Sequence, residues 1–221
     1  MVEFNKKETF IRFTGEVGDI EACLHLGESE GLLHESNAIV VLCHPHPVHG
    51  GTMDNKVVTT LMRTYRDLGI HVLRFNFRGV GKSEGEFDQG VGEVRDVIAA
   101  ARYVQALFPA KKLLLAGFSF GSAMAAQASH QLDNIAHLTL VAPPVERYSY
   151  EQDGKFGMPV VVIQGDKDER VLAQGVYAWQ ELLQSPATLI RYPEATHFFH
   201  GFLTQLKDDL TRVLLNDLPS V

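Results

Sequence analysis

Two spacings of apolar residues divide the chain. Near the start, Ile20, Ala22, Leu24 and Leu26 alternate with Glu21, Cys23 and His25. This period of two predicts a strand over Asp19–Leu26 with one apolar face. Glu8–Thr14 reads as its antiparallel partner, and Gly15 and Gly18 supply the turn. The hairpin is expected to be half exposed. From Ala38 onward the apolar residues instead come in unbroken runs: Ala38–Cys43, His71–Phe75, Leu113–Ala116, Leu138–Ala142 and Val160–Ile163, with a weaker run at Thr188–Arg191. Short runs rich in Val, Ile and Leu fit strands covered on both faces. Between them lie helical patterns at Asn55–Leu68, Val91–Phe108, Phe120–Leu132, Leu172–Leu183 and Phe202–Leu215. Strands alternating with helices predict an α/β fold: a mostly parallel twisted central sheet behind an antiparallel N-terminal hairpin, with helices on both faces.

Length and composition narrow this little. The chain has 221 residues, which suits one domain over residues 1–221. A net charge of -7 argues against nucleic acid as a partner. Cys23 and Cys43 form no C-x-x-C pair and are expected as reduced, partly buried thiols. Met1–Phe10 has no apolar signal core, and no apolar run approaches ~18 residues. A cytoplasmic protein with no membrane partner is expected. Monomer and homodimer stay open.

The chemistry concentrates at Gly117-Phe118-Ser119-Phe120-Gly121, between the run Leu113–Ala116 and a helix rich in small residues. A serine on a sharp strand-to-helix turn needs neighbours without Cβ atoms, and the helix N-terminus then favours developing negative charge at the site. A serine hydroxyl also needs a base. Downstream, the run Val160–Ile163 leads to Asp166 and Asp168, and the last run leads to His197 and His200. His197 follows small residues just past its strand, whereas His200 reads better as a surface or supporting histidine. Upstream, the run ending at Cys43 enters His44-Pro45-His46-Pro47-Val48-His49. An H-x-H-x-x-H spacing raises the question of a metal, but no further ligand lies nearby in sequence, and no metal or cofactor is expected. Gly79-Val80-Gly81-Lys82-Ser83 imitates the end of a phosphate-binding loop, yet Asn76 stands where that motif needs glycine.

These features together resemble the α/β-hydrolase superfamily from Ala38 onward, and within it a small bacterial branch of predicted serine hydrolases carrying an HPHP loop and a GFSFG elbow. Arg74-Phe75-Asn76-Phe77-Arg78-Gly79-Val80-Gly81-Lys82-Ser83 is similar to the family's D-x-R-G-x-G-x-S loop, with Asn76 replacing the acid and Arg78 expected as a brace. The resemblance implies a nucleophile, acid and histidine in that chain order. Gly165-x-x-Asp168-x-x-Val171 matches the family's acid turn, so Asp168 is preferred and Asp166 is left to bond nearby turn backbone. Ser119, Asp168 and His197 are the implied catalytic residues. The implied oxyanion donors are the backbone N–H groups of Phe120 and His46, since Pro45 and Pro47 have none to offer.

About sixteen positions separate the run ending at Ala142 from Pro159, too few for a folded cap. An open site is therefore expected, with Tyr148, Phe118 and Phe198 as pocket candidates. Pro143, Pro144, Tyr150 and Phe156 are placed at its rim, and Phe87 is expected to add apolar surface. The expected activity is a carboxylesterase acting on a small-molecule acyl ester or thioester. A peptidase, an acyltransferase and a non-catalytic binding module remain as alternatives.

Overall fold

The computed structural model describes residues 8–151 and 154–218. Residues 1–7 of the segment read as lacking a signal core lie outside the described residues, as do positions 152–153 of the connection after Ala142. Eight strands form one sheet: β1 (Glu8–Thr14), β2 (Asp19–His25), β3 (Ala38–Cys43), β4 (His71–Phe75), β5 (Lys112–Phe118), β6 (Ile135–Val141), β7 (Val160–Gly165) and β8 (Ala187–Tyr192). Their spatial order is β1-β2-β4-β3-β5-β6-β7-β8. The pairs β1–β2 and β2–β4 are antiparallel, and the rest are parallel.

Helices α1 (Lys56–Asp67), α2 (Val91–Leu107), α3 (Phe120–Ser129), α4 (Ala173–Leu182) and α5 (Leu203–Asp217) cover both faces. Two apolar layers result. One packs Leu61 and Tyr65 of α1 and Leu206 and Leu210 of α5 against Val40, Leu114 and Val161. The other packs Val97 of α2, Met124 of α3 and Val176 of α4 against Val41, Leu115 and Val162. Residues alternating along each strand feed opposite layers, which is why the parallel strands read as unbroken apolar runs. Asn55 starts α1 by accepting the Val57 N–H at 2.9 Å, and Gly69 ends it at φ 93°.

Two expectations need correction. The hairpin is half exposed at β1, but β2 is buried further than expected: Asp19 and Glu21 keep partial exposure, while Cys23 and His25 are as sheltered as Ala22 and Leu24. The strand sits between β1 and β4, and its second face lies against Arg74, whose Nε donates to His25 Nε2 at 3.0 Å. The polar alternation marked a buried polar layer, not solvent. β6 begins three residues before Leu138 because His137 continues the strand and is fully buried. Its Nε2 lies 3.2 Å from Asp217 Oδ2 on α5. Cys23 and Cys43 are both buried and unpaired.

The connection from β6 to β7 contains no helix or strand among the described residues and builds no cap. The loops following β3, β5, β6, β7 and β8 all leave the carboxyl edge of parallel strands. That edge is where ligands meet open α/β sheets.

Candidate active site

The turn after β5 is built from close backbone contacts. A Cβ on Gly117 would lie 2.2 Å from the Gly121 carbonyl oxygen, and one on Gly121 would lie 2.4 Å from the carbonyl oxygens of both Cys43 and His44. Only glycine fits either position. Ser119 between them holds φ 53° and ψ -123°, a conformation costing about 1–3 kcal/mol for a residue with a side chain. It is held there by its own N–H, which donates to the Val141 carbonyl at 2.8 Å. Below it, the Ser122 hydroxyl donates to the Ser119 carbonyl at 2.6 Å and lies 2.8 Å from the Tyr150 hydroxyl.

The three predicted side chains come together. Ser119 Oγ lies 3.1 Å from His197 Nε2, and His197 Nδ1 lies 2.8 Å from Asp168 Oδ2. An ionised carboxylate only accepts, so Nδ1 carries the proton and Nε2 is left to accept from the serine hydroxyl. Gly165 makes this meeting possible: a Cβ there would lie 2.3 Å from the Ala195 carbonyl oxygen, so the acid turn and the histidine loop could not close.

The other oxygen of Asp168, Oδ1, accepts the N–H groups of Arg170 and Val171, each at 2.8 Å. Burial alone would push this carboxyl up. The His197 hydrogen bond and charge and the two backbone donors outweigh it and hold the group below the usual carboxylate range. Gln164 Nε2 adds a donor to Asp168 Oδ2 at 3.3 Å. It carries no sequence signature, because its role depends on a turn that returns over it.

Asp166 is placed differently from expectation. Its carboxylate accepts from the Tyr177 hydroxyl and pairs with Arg191 Nη2 at 2.9 Å. Backbone capping of the turn falls to Asp168 itself. His200 is exposed, beyond Phe198 and outside the serine–imidazole–carboxylate chain.

His44, which sequence reading left only as a possible metal ligand, braces the loop after β3. Its Nε2 accepts the Phe77 N–H at 3.0 Å, and its Nδ1 donates to the Pro45 carbonyl at 2.6 Å. Both nitrogens are thereby committed within the protein. Burial pushes its pKa down to about 4, so the ring is neutral near pH 7. Beyond it, the His46 ring lies 5.0 Å from that of Phe120, and both residues line the cavity that holds Ser119. Phe120 opens α3, so its N–H has no acceptor within the helix. The loop between β4 and α2 is fixed by Arg78, which bonds buried Asp96 through Nη2 at 2.8 Å. Asn76, in the position of the family's acid, accepts the Met53 N–H at 2.8 Å and donates to Glu21 Oε2 at 2.9 Å.

Above Ser119 lies an open cavity of about 450 Å3, walled by Pro45, His46, His49, Phe120, Pro144, Arg147, Tyr148, Arg170, His197 and Phe198. Tyr148 and Phe198 take the predicted places. Phe118 does not. It is fully buried beneath the imidazole, with ring centroids 5.0 Å apart, because residue and nucleophile alternate across the strand end. Tyr150 and Phe156 are core residues, and Phe87 packs behind His46 and Phe120 instead of lining the cavity.

Sheet order, elbow and open carboxyl edge define a lidless α/β hydrolase. The α/β-hydrolase-fold family model matches residues 47–153. An uncharacterized protein of Rickettsia prowazekii, RP471, is 39% identical over 170 residues, spanning 75% of this chain and 69% of that one. The crystal structure of XC6422 from Xanthomonas campestris, described as an α/β serine hydrolase without lid, has a TM-score of 0.89 at 38% identity and covers 99% of this chain and 98% of its own. An α/β serine hydrolase homologue from Coxiella burnetii has a TM-score of 0.88 at 39% identity, covering 97% and 99%. The chain belongs to the α/β-hydrolase family and is a hydrolase without a cap.

Proposed function

We infer that the protein is a serine carboxylesterase acting on small or short-chain acyl esters or thioesters, with residues 1–221 working as one domain. The observation that carries this reading is the hydrogen-bonded chain from Ser119 through His197 to Asp168, opening on an unlidded cavity.

His197 Nε2 takes the Ser119 proton as Oγ attacks the acyl carbon. Asp168 keeps the proton on Nδ1 and stabilises the imidazolium that forms. The negative charge on the carbonyl oxygen is received by the N–H groups of Phe120 and His46. One such donor contributes roughly 10²–10³ in rate. His197 returns the proton to the departing alcohol or thiol, leaving an acyl-enzyme. Water, deprotonated by the same imidazole, then releases the acid and restores Ser119.

Two features set the selectivity of this reading. No cap closes over the acyl chain, so long chains gain little burial. Tyr148 and Phe198 offer the apolar contact. The test is kcat/KM for 4-nitrophenyl esters from acetate to palmitate. A maximum at short acyl length that vanishes in Ser119→Ala supports the reading. Turnover unchanged in Ser119→Ala, or peptide cleavage exceeding ester cleavage, counts against it. Acyl transfer to an added alcohol faster than hydrolysis would move the reading to a transferase. A cytoplasmic location belongs to the same proposal; among the described residues no helix is long and apolar enough to cross a membrane.

A further inference from the structure

Two guanidinium groups stand in the wall of the cavity above Ser119, Arg147 from the β6–β7 connection and Arg170 from the turn that carries Asp168. The turns are in contact, with Arg147 Nη2 3.5 Å from the Arg170 carbonyl. Several arginines elsewhere are committed to carboxylates, Arg78 to Asp96, Arg74 to Glu8 and Asp54, Arg191 to Asp166, whereas Arg12, Arg63 and Arg102 have none within ion-pair distance among the described residues but lie outside this cavity. Arg147 is likewise uncommitted, having no carboxylate within ion-pair distance among the described residues. Arg170 has one only loosely, with Nε 3.9 Å from Glu169 Oε1. Its guanidinium lies over the Phe198 ring, 5.2 Å from the centroid, and both residues line the cavity.

The charge balance of the wall is unlike that of the molecule. The chain carries a net -7. The cavity lining holds two arginines against a single carboxylate, Glu169, which also accepts the His197 N–H at 3.3 Å. The histidines beside them add no negative charge. A neutral acyl ester makes no use of such a wall.

We propose that the substrate of this site is an ester or thioester bearing a second, anionic group, a carboxylate above all, which docks on Arg147 and Arg170 while its neutral ester carbonyl lies at Ser119. The inference rests on the hydrolase reading and narrows its substrate class. A planar carboxylate matches the guanidinium fork in a way that a neutral chain does not. At a mouth open to water, each guanidinium contributes about two- to fivefold in binding. The anion also orients the ester, so the gain enters through KM more than kcat.

The test compares matched esters. On the acyl side, the half-esters 4-nitrophenyl succinate, glutarate and adipate are set against 4-nitrophenyl butyrate. On the alcohol side, 4-carboxyphenyl butyrate is set against phenyl butyrate. At least one anionic ester is expected to exceed its neutral partner about tenfold in kcat/KM, mainly through KM. That ratio is expected to fall about threefold in Arg147→Gln or Arg170→Gln and about tenfold in the double variant. Arg→Lys substitutions should restore part of it, and added salt should lower it. Neutral esters preferred throughout, with the ratio unmoved in the double variant, would overturn the inference while leaving the hydrolase reading intact. If no ester is cleaved and Ser119 takes no fluorophosphonate, the hydrolase reading fails instead. Calorimetric titration with glutarate and with inorganic phosphate then decides the anion site alone. Binding lost in the double variant supports it, with the tighter probe naming the anion. No binding of either sinks it.

Discussion

Acidification toward pH 4 should unfasten the loop that carries His46. His44 is fully buried, its Nε2 facing the Phe77 N–H and its Nδ1–H engaged with the Pro45 carbonyl. A proton on Nε2 would set one N–H against another inside the protein. Its pKa is accordingly depressed by burial to about 4. His25 is likewise held at about 4, first by burial and then by the charge of Arg74, with Glu8 opposing. Both groups bind protons more readily in the unfolded chain, where the value is about 6.5. Their contribution is therefore complete above about pH 6.5 and is lost as pH falls toward 4. At 1.36 kcal/mol for each pH unit, the loss is about 3 kcal/mol per histidine across that window, or roughly 6 kcal/mol for the two. A domain of this kind has about 5–15 kcal/mol in total. Urea unfolding followed by circular dichroism from pH 7.5 to 4.5 measures it. These two together steepen the fall in unfolding free energy by up to about 2.7 kcal/mol per pH unit between 6 and 4.5, and His71, also pushed down to about 4 by burial, adds to it. His44→Gln, whose amide can meet both partners without titrating, should remove the His44 share, up to about 1.4 kcal/mol per pH unit. A midpoint that does not move between pH 7 and 5, or an unchanged slope in His44→Gln, would refute the reasoning.

Other expectations follow from single contacts. Asp168→Asn keeps the turn hydrogen bonds through Oδ1 but replaces the oxygen that accepts from His197 Nδ1. Its kcat should fall by about 10³–10⁴ with a near-native melting temperature, read by ester turnover and calorimetry. Gly121→Ala drives a Cβ to 2.4 Å from two backbone oxygens, so soluble yield and melting temperature should collapse together. Arg78→Ala strands the Asp96 carboxylate, whose side chain has no exposure, and should cost about 3–5 kcal/mol in urea unfolding.

What could be read along the chain, and what could not, divides by the kind of interaction. The parallel strands were legible because burial on both faces leaves a continuous apolar run, as at Ala38–Cys43 and Val160–Ile163. The elbow was legible because steric demand fixes its glycines, and each Cβ contact bears that out. Buried polar groups were the blind spot. His137 hid the start of β6, and Cys23 and His25 made a buried face look like a solvent face, since their partners Asp217 and Arg74 come from distant strands and helices. The same cause concealed His44 and Gln164 and misplaced Asp166, whose partners Tyr177 and Arg191 lie on α4 and β8. Phe118 was misjudged by adjacency: next to the nucleophile in sequence, it points to the other side of the strand end.

The central claim concerns the reactivity of Ser119, and a fluorophosphonate probe followed by intact-mass and peptide mass spectrometry measures it most directly. One adduct per chain is expected, located on Ser119, lost in Ser119→Ala and formed at least about a hundredfold more slowly in His197→Ala. Folded protein that takes no adduct, or takes it at another residue with Ser119 unmodified, would contradict the account.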